Sequence, residues 1–347
     1  MSTKNMFAQS SLAAASSEGN GGVGFGCMGV TAFYGDAMSD EAAIELFKCV
    51  YDNGCRHFDT AEIYKTGDPL KDAPEDEWNE KQLGLFLRTV PRESFTVATK
   101  FMPYKYEAKC DYETVKGALL NSLERLGLEY ADLYYCHRIP SLEAALEFTA
   151  SCKKLQEEGL IKHIGLSEII GAWLRKCYEV AKIAAVQQEW SLLTRNHEAE
   201  LIPVCKELDV AVVAYSPLGR NLLTGVVTEP PTDWRGKLPR YSPENIQKNV
   251  DLIKEVEGIA ASHDCTAAQL SLAWLFHKAK QYGVNVIPIP GTTKQKHAIS
   301  NIEAAKVKIA DNEMAPLEAI AERVAGERGD EDYTGYGIEA QLAQGKL

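Results

Sequence analysis

Four titratable side chains stand where three successive strand-like runs end. Arg56-His57-Phe58 runs into Asp59, with Tyr64 five residues further on. Phe95-Thr96-Val97-Ala98-Thr99 runs into Lys100, and Ala131 to Cys136 runs into His137. If these runs are neighbouring parallel strands, their C-terminal ends open on one mouth, where barrels of alternating strands and helices keep their chemistry. A carboxylate, a phenol, an ammonium and an imidazole at one mouth are groups that general acid–base chemistry draws on. Taken singly, each has a plainer reading. Asp59 or Thr60 could cap a helical turn, Lys100 could be solvated, and His137 could be a core histidine.

The rest of the chain supplies elements that could position them. Val23-Gly24-Phe25-Gly26-Cys27-Met28-Gly29 reads as a short strand running into a Gly-rich turn, where glycine lets backbone approach a ligand closely. A dinucleotide turn is one reading, but a G-x-G-x-x-G with a helix directly behind it is not met. From there the beat is regular. An amphipathic helix over Asp40–Tyr51 ends at Asn53-Gly54, and Cys55–Phe58 is the second strand. A polar insertion, Lys65–Trp78, precedes a helix over Asn79–Arg88. Phe95–Thr99 is the third strand, and Asp111–Leu126 is a helix closed by Gly127. Ala131–Cys136 is the fourth strand, with a helix from Ser141 to Gly159.

The second half repeats the alternation. Strands over Ile161–Gly165, Ala184–Gln187, Val210–Tyr215 and Val284–Ile289 are separated by helices over Ala172–Val180, Asn196–Leu208, Pro243–Ser262 and Thr266–Lys280. A long excursion spans Ser216–Tyr241, and Lys294 starts a last helix. Short apolar runs alternating with amphipathic helices imply a parallel sheet. Eight such units imply an α/β fold of one domain, a closed (β/α)8 TIM barrel. A doubly wound sheet is the rival. Residues 1–20 read as a flexible lead-in, 21–326 as the barrel, and 327–347 as a polar tail wrapped on the surface.

Composition narrows the partners. The 347 residues are 45% hydrophobic and 25% charged, with a net charge of −12. Acidity on this scale argues against nucleic acid or an anionic membrane as main partner, so an anionic ligand must be held by local donors. Nine cysteines fall singly, without C-x-x-C or metal-ligand spacing, and suit a reducing compartment. Cys136, beside His137, could be a reactive thiol. No apolar run reaches transmembrane length, and residues 1–20 lack a signal-peptide or transit pattern. The expectation is a cytoplasmic protein without metal or membrane contact, its oligomeric state left open.

Several runs resemble the aldo-keto reductases, and within them the branch of plant auxin-induced-protein-like and perakine-reductase-like enzymes. They are Gly-Phe-Gly-Cys-Met-Gly at 24–29, His-Phe-Asp-Thr-Ala-Glu-Ile-Tyr at 57–64, Thr-Lys at 99–100 and Asp-Leu-Tyr-Tyr-Cys-His-Arg at 132–138. Ile-Gly-Leu-Ser-Glu follows at 164–168, then Val-Gln-Gln-Glu-Trp-Ser-Leu at 186–192, Ala-Tyr-Ser-Pro-Leu-Gly-Arg at 214–220 and Ile-Pro-Ile-Pro-Gly-Thr-Thr-Lys at 287–294. The resemblance as a whole runs from about Gly21 to Glu322, most of the chain.

The resemblance implies an NADPH-dependent reductase of a small-molecule carbonyl, with Asp59, Tyr64, Lys100 and His137 as catalytic tetrad. It places Ser167 and Gln187 on the nicotinamide carboxamide, Tyr215 against the ring, and Ser216, Pro217, Leu218, Gly219 and Arg220 along the pyrophosphate. Gly26, Cys27 and Met28 join these contacts. Pro290, Gly291, Thr292, Thr293 and Lys294 take the 2′-phosphate position, with His297 and Asn301 near the adenine. A helix start preceded by Gly-Thr-Thr and carrying Lys is also an anion site on physical grounds.

On that basis Tyr64 would donate the proton. Lys100 would lower its pKa, Asp59 would keep Lys100 charged, and His137 would orient the carbonyl. Ser300 stands where many relatives carry Glu, and the Lys65–Trp78 insertion should reshape the substrate mouth. Trp78, Trp190 and Trp234 suggest an apolar lining. Two other roles are compatible: a cofactor-binding regulatory module like the potassium-channel β subunits, and an alcohol dehydrogenase working oxidatively.

Overall fold

Eight parallel strands follow one another in chain order around a single sheet. The computed structural model describes residues 22–330, 334 and 337–344. The strands are β1 Phe25–Gly26, β2 His57–Asp59, β3 Thr96–Phe101, β4 Ala131–Cys136, β5 Ile161–Ser167, β6 Ile183–Glu189, β7 Ala211–Tyr215 and β8 Val286–Pro288. Backbone hydrogen bonds close the ring between its ends: the Gly24 N–H donates to the Pro288 carbonyl at 2.9 Å and that of Gly26 to Pro290 at 3.4 Å. The result is a (β/α)8 TIM barrel. At this seam a Cβ on Gly26 would stand 2.6 Å from the Ile289 carbonyl oxygen, and one on Gly291 2.6 Å from that of Gly26. The glycines of the first turn therefore let two strands meet, a role the sequence reading gave to a ligand.

Helices cover the ring: α1 Asp40–Asp52, α2 Asn79–Leu87, α3 Tyr112–Leu126, α4 Leu142–Glu157, α5 Gly171–Val180 and α6 Leu201–Leu208. They continue with α7 Ile246–Ala261, α8 Ala267–Tyr282, α9 Gln295–Glu303, α10 Asp311–Ala321 and α11 Ile338–Gln344. Side-chain caps define several helix starts. Ser39, Asp111, Ser141 and Thr266 each accept a backbone N–H from three residues on, worth about 1 kcal/mol apiece. Gly127, at φ 67°, closes α3. Phe25, Phe47, Phe58 and Phe86 interlock with ring centroids 5.7–6.2 Å apart and fix α1 and α2 against β1 and β2. That packing sets the base of the loop that carries Asp59 and Tyr64.

Several boundaries shift, and the insertion takes a defined form. The helix expected from Asn196 begins at Leu201, because Ser191 and Thr194 pair as a turn and Arg195 folds back onto Glu198. Lys294 caps α9, which is followed by α10 and α11 rather than being the last helix. The Lys65–Trp78 insertion is a closed loop whose ends pair. Its Lys65 ammonium is buried on Asp76, with side chains 0% and 3% exposed, and also donates to the Lys71 carbonyl at 2.8 Å. Among the described residues of the tail, Arg328, Ile338 and Gln341 are buried rather than lying on the surface.

Candidate active site

Strand alternation selects what faces the mouth. Ala98, Leu133, Tyr135, Ala185, Val213 and Ile287 fill the barrel interior together. Side chains two residues further along a strand point the same way. Lys100, His137, Gln187 and Tyr215 each lie two residues beyond an inward residue, at the C-terminal rim. Asp59, ending β2, pairs in register with Ala98 of β3, and Lys100 with Tyr135 of β4. The four candidates of the first half are thereby gathered around one point.

Lys100 is the centre of that point. Its buried ammonium donates to Asp59 Oδ1, to the Thr60 carbonyl at 2.6 Å and to Tyr64 Oη at 3.4 Å. Gln187 Nε2 donates to the other Asp59 oxygen at 2.7 Å. The His137 ring stands edge-on to the Tyr64 ring, centroids 5.7 Å apart. Burial is the largest influence on Lys100 and penalises its cation, but Asp59 and Tyr64 together outweigh it and hold the pKa above the ordinary lysine value. Burial raises the Tyr64 phenol; Lys100 lowers it by less, so the net direction is upward. The sequence expectation of a phenol below its ordinary value is not met, because desolvation was not weighed there. Burial, with Lys100 and Arg138 nearby, pushes His137 well below its usual value, so its imidazole is neutral near pH 7. Its Nδ1 is buried without a hydrogen bond among the described residues.

The cofactor candidates fall into three groups. Ser167 and Gln187 are buried at the ends of β5 and β6, and Tyr215, half-buried, ends β7. Ser216 to Arg220 follow as a tight loop. Ser216, Gly219, Arg220 and Asn221 all have positive φ, held because Tyr241 Oη donates to the Gly219 and Arg220 carbonyls at 2.7 and 2.8 Å. Pro217, Leu218 and Pro290 are buried. Arg220 is not turned to a ligand: its guanidinium pairs with Glu189 at 2.9 Å and is 5.3 Å from the Trp234 ring. Thr292 and Thr293 are half-buried, and Lys294 and His297 are exposed at the start of α9, whose N-terminus has no side-chain cap. Asn301 is buried one turn on. Gly26 forms the seam, Met28 packs beside Tyr64, and Cys27 is fully buried in the core.

The donor set fits NADP(H). Uncapped amides beside Lys294 and Lys296 suit a phosphate, and Gln187 keeps its carbonyl oxygen for a carboxamide once its amide is given to Asp59.

Residue types alone missed other members. Asn79 is fully buried; its amide donates to the Cys27 carbonyl at 2.8 Å and Thr31 Oγ1 at 2.9 Å, its oxygen accepts from Thr60 at 2.6 Å, and its N–H donates to the Tyr64 carbonyl at 2.9 Å. It ties the loop that bears Tyr64. The only signal was an Asn at a helix start, which read as local. Trp190 does not line the mouth: it is fully buried and donates to Glu198 at 3.0 Å. Apolar surface around Tyr64 comes from Ile63, Met28 and Met102. Phe33 joins them, 43% exposed at φ 68°, its ring centroid 6.5 Å from that of Tyr64. Cys136 is no reactive thiol, since burial raises its pKa well above the ordinary value.

Two further buried histidines, His57 at the start of β2 and His197 beside Trp190, should make the fold acid-sensitive. Burial lowers His57 and His197 to about 4, whereas unfolded histidine titrates near ~6.5. Between those values the unfolded chain binds more protons, so stability falls as pH drops from about 6.5 toward 4 and levels below. The shift corresponds to roughly 3 kcal/mol for each. Denaturant unfolding from pH 7.5 to 4.5 should show that fall, and His197→Asn should remove only part of it, because His137 and His163 are depressed as well. An unchanged pH slope in the variant would remove His197 from this account.

Comparison with known proteins follows the same outline. The sequence model of the Aldo/keto reductase family matches residues 22–322. A soybean (Glycine max) protein described as "Probable aldo-keto reductase 1" is 39% identical over 305 residues, 85% of this chain and 84% of that one. Among solved structures, the thermostable aldo-keto reductase Tm1743 superposes with a TM-score of 0.68 at 27% identity, covering 86% of this chain and 94% of that one. An aldo-keto reductase from Klebsiella pneumoniae, solved with NADPH, shares the fold at a TM-score of 0.67 and 22% identity, over 90% and 95% of the two chains. Among the described residues no helix is long and apolar enough to cross a membrane. With a family match over most of its length and a barrel that gathers the matching residues at one rim, this chain belongs to the aldo/keto reductase family.

Proposed function

We propose that this NADP(H)-dependent oxidoreductase reduces an aldehyde or ketone to the alcohol, with Tyr64 as proton donor. What carries the reading is the buried Lys100 ammonium, which holds Asp59 on one side and reaches Tyr64 Oη on the other. When bound, NADPH supplies the hydride for the carbonyl carbon. The chain supplies the rest. Tyr64, its pKa raised by burial, keeps its proton through the neutral range and so has one to give to the forming alkoxide. As the proton leaves, Lys100 stabilises the phenolate. Neutral His137, beside the Tyr64 ring, orients the carbonyl oxygen by hydrogen bonding. Ser167 and Gln187 would hold the carboxamide, Tyr215 would pack on the ring, and Thr292, Thr293 and Lys294 would bind the 2′-phosphate. Phe33, Met28 and Met102 give the carbonyl side an apolar wall, which favours substrates with an apolar substituent.

Absorbance at the nicotinamide band tests this with a panel of aromatic and aliphatic aldehydes, ketones and pyridoxal, NADPH and NADH run in parallel. Consumption with at least one carbonyl, faster with NADPH, is expected. Tight NADPH binding without turnover on any of them would point to a regulatory module. The 2′-phosphate placement has its own test. Lys294→Ala should weaken NADPH by up to about tenfold and leave NADH nearly unchanged, since only one carries the phosphate. Equal loss of both in cofactor titrations would refute that placement.

A further inference from the structure

The C-terminal segment brings one guanidinium to the ends of three consecutive strands. Arg328 is 2% exposed at its side chain. It donates to both oxygens of Glu168, which follows β5, at 3.1 and 2.7 Å. It donates to Glu189, the last residue of β6, at 3.1 Å, and to Tyr215 Oη, the last of β7, at 3.2 Å. Tyr215 Oη donates in turn to Glu168 at 2.7 Å. Those three strand ends carry the residues assigned above to the nicotinamide: Ser167 precedes Glu168, Gln187 lies two before Glu189, and Tyr215 is itself in the cluster.

The rest of the segment is built to hold that guanidinium in place. Glu339 accepts from Arg328 Nε and Nη2, each at 2.7 Å. The Ile338 N–H donates to Glu168 at 3.3 Å, and the Gln341 amide bridges the Glu168 carbonyl and the Ile170 N–H. Arg220 closes the ring, donating to Glu189 and to the Arg328 carbonyl at 3.1 Å. Gly337 leaves the room: a Cβ there would lie 2.6 Å from Arg328 Nη2. Burial alone would raise the Glu168 carboxyl, but Arg328 and then Arg138 hold it at about 2, so the cluster stays ionised across the working range. A guanidinium fork suits this task, because its donors are fixed in one plane and meet several acceptors at once.

We propose that Arg328 is a positioning residue for hydride transfer. It fixes the Tyr215 ring and the strand ends that carry Ser167 and Gln187, so that the C-terminal segment is part of the cofactor platform. This rests on the reading of Tyr215 as the surface that packs on the nicotinamide. Arg328 need not touch cofactor or substrate; it acts through Tyr215 and Glu168.

The test uses the full chain, a carbonyl it turns over, and NADPH carrying deuterium at the transferred position. Arg328→Met is expected to lower kcat by about ten- to a hundredfold, with the carbonyl KM little changed and the primary isotope effect raised, because a misplaced ring slows the transfer itself. Arg328→Lys should recover part of the rate by restoring the charge. Tyr215→Phe keeps the stacking ring and deletes only the clamped hydroxyl, so it should change kcat and isotope effect in the same direction. Arg323→Met, which breaks an exposed pair with Glu255, should leave both unchanged. If folded Arg328→Met keeps the parent kcat and isotope effect, or only its melting temperature falls, the clamp is merely structural and the proposal is overturned. If Arg328→Met does not fold, Tyr215→Phe decides: parental kinetics there overturn it equally. Failure of the unmodified protein to oxidise NADPH with any carbonyl would instead bring down the functional reading, and this inference with it.

Discussion

Replacing Tyr64 by Phe is expected to lower carbonyl reduction by about 10²- to 10⁴-fold, the usual weight of a lost general acid, while NADPH binding stays near normal. The substitution removes one oxygen whose hydrogen bond among the described residues is a long one, 3.4 Å from Lys100. The ring remains, and with it the edge contact to His137 and the packing against Phe33. Lys100 keeps Asp59 and the Thr60 carbonyl. The fold therefore has little reason to respond, and what is lost is the proton. Initial rates by absorbance, beside a fluorescence titration with NADPH, separate the two effects. Since burial raises the Tyr64 pKa, the parent rate should hold through neutral pH and fall only on the alkaline side. Activity retained within a few-fold would end the acid role of Tyr64.

Lys100→Met should cost the fold about 3–5 kcal/mol, because it strands a buried carboxylate without its cation. Asp59 is 2% exposed and would be left with Gln187 as its side-chain donor. Methionine fills the volume, so packing loss is small and the penalty is electrostatic. The pair can be tested as a unit. Adding Asp59→Asn removes the orphaned charge, and the double variant should regain much of the stability while remaining inactive. Denaturant unfolding of parent, single and double variants measures this directly. A double variant as unstable as the single one would mean that packing, and not charge, was lost.

How far the sequence could be read depends on how local each signal was. Asp59, Lys100 and His137 were legible because each ends a short apolar run, and strand alternation then turns them inward. The helix starts at Asp111, Ser141 and Thr266 were legible because a cap is made within three residues. Glu168, Glu189 and Arg328 gave no such sign: their partners lie far apart in the chain, and an isolated Arg in a polar tail looks solvated. Asn79 was read only as the first residue of a helix, because the partners of its side chain, Thr60, Cys27 and Thr31, lie far away in the chain. Trp190 was misplaced because aromatic character says nothing about which face of a rim it occupies. Desolvation of Tyr64 depends on how tightly the mouth packs, which no spacing rule contains.

The seam between β1 and β8 has a consequence for how the protein is made. Among the described residues, the N–H groups of Gly24 and Gly26 find their outer partners in Pro288 and Pro290, which leave the ribosome on the order of tens of seconds later at ~5–20 residues per second. Until then the growing chain carries an unsatisfied edge at its beginning, open to pairing with the wrong strand or with a neighbouring nascent chain. Slow synthesis favours such mispairing, and truncated chains ending before Pro288 should be the ones that demand chaperones.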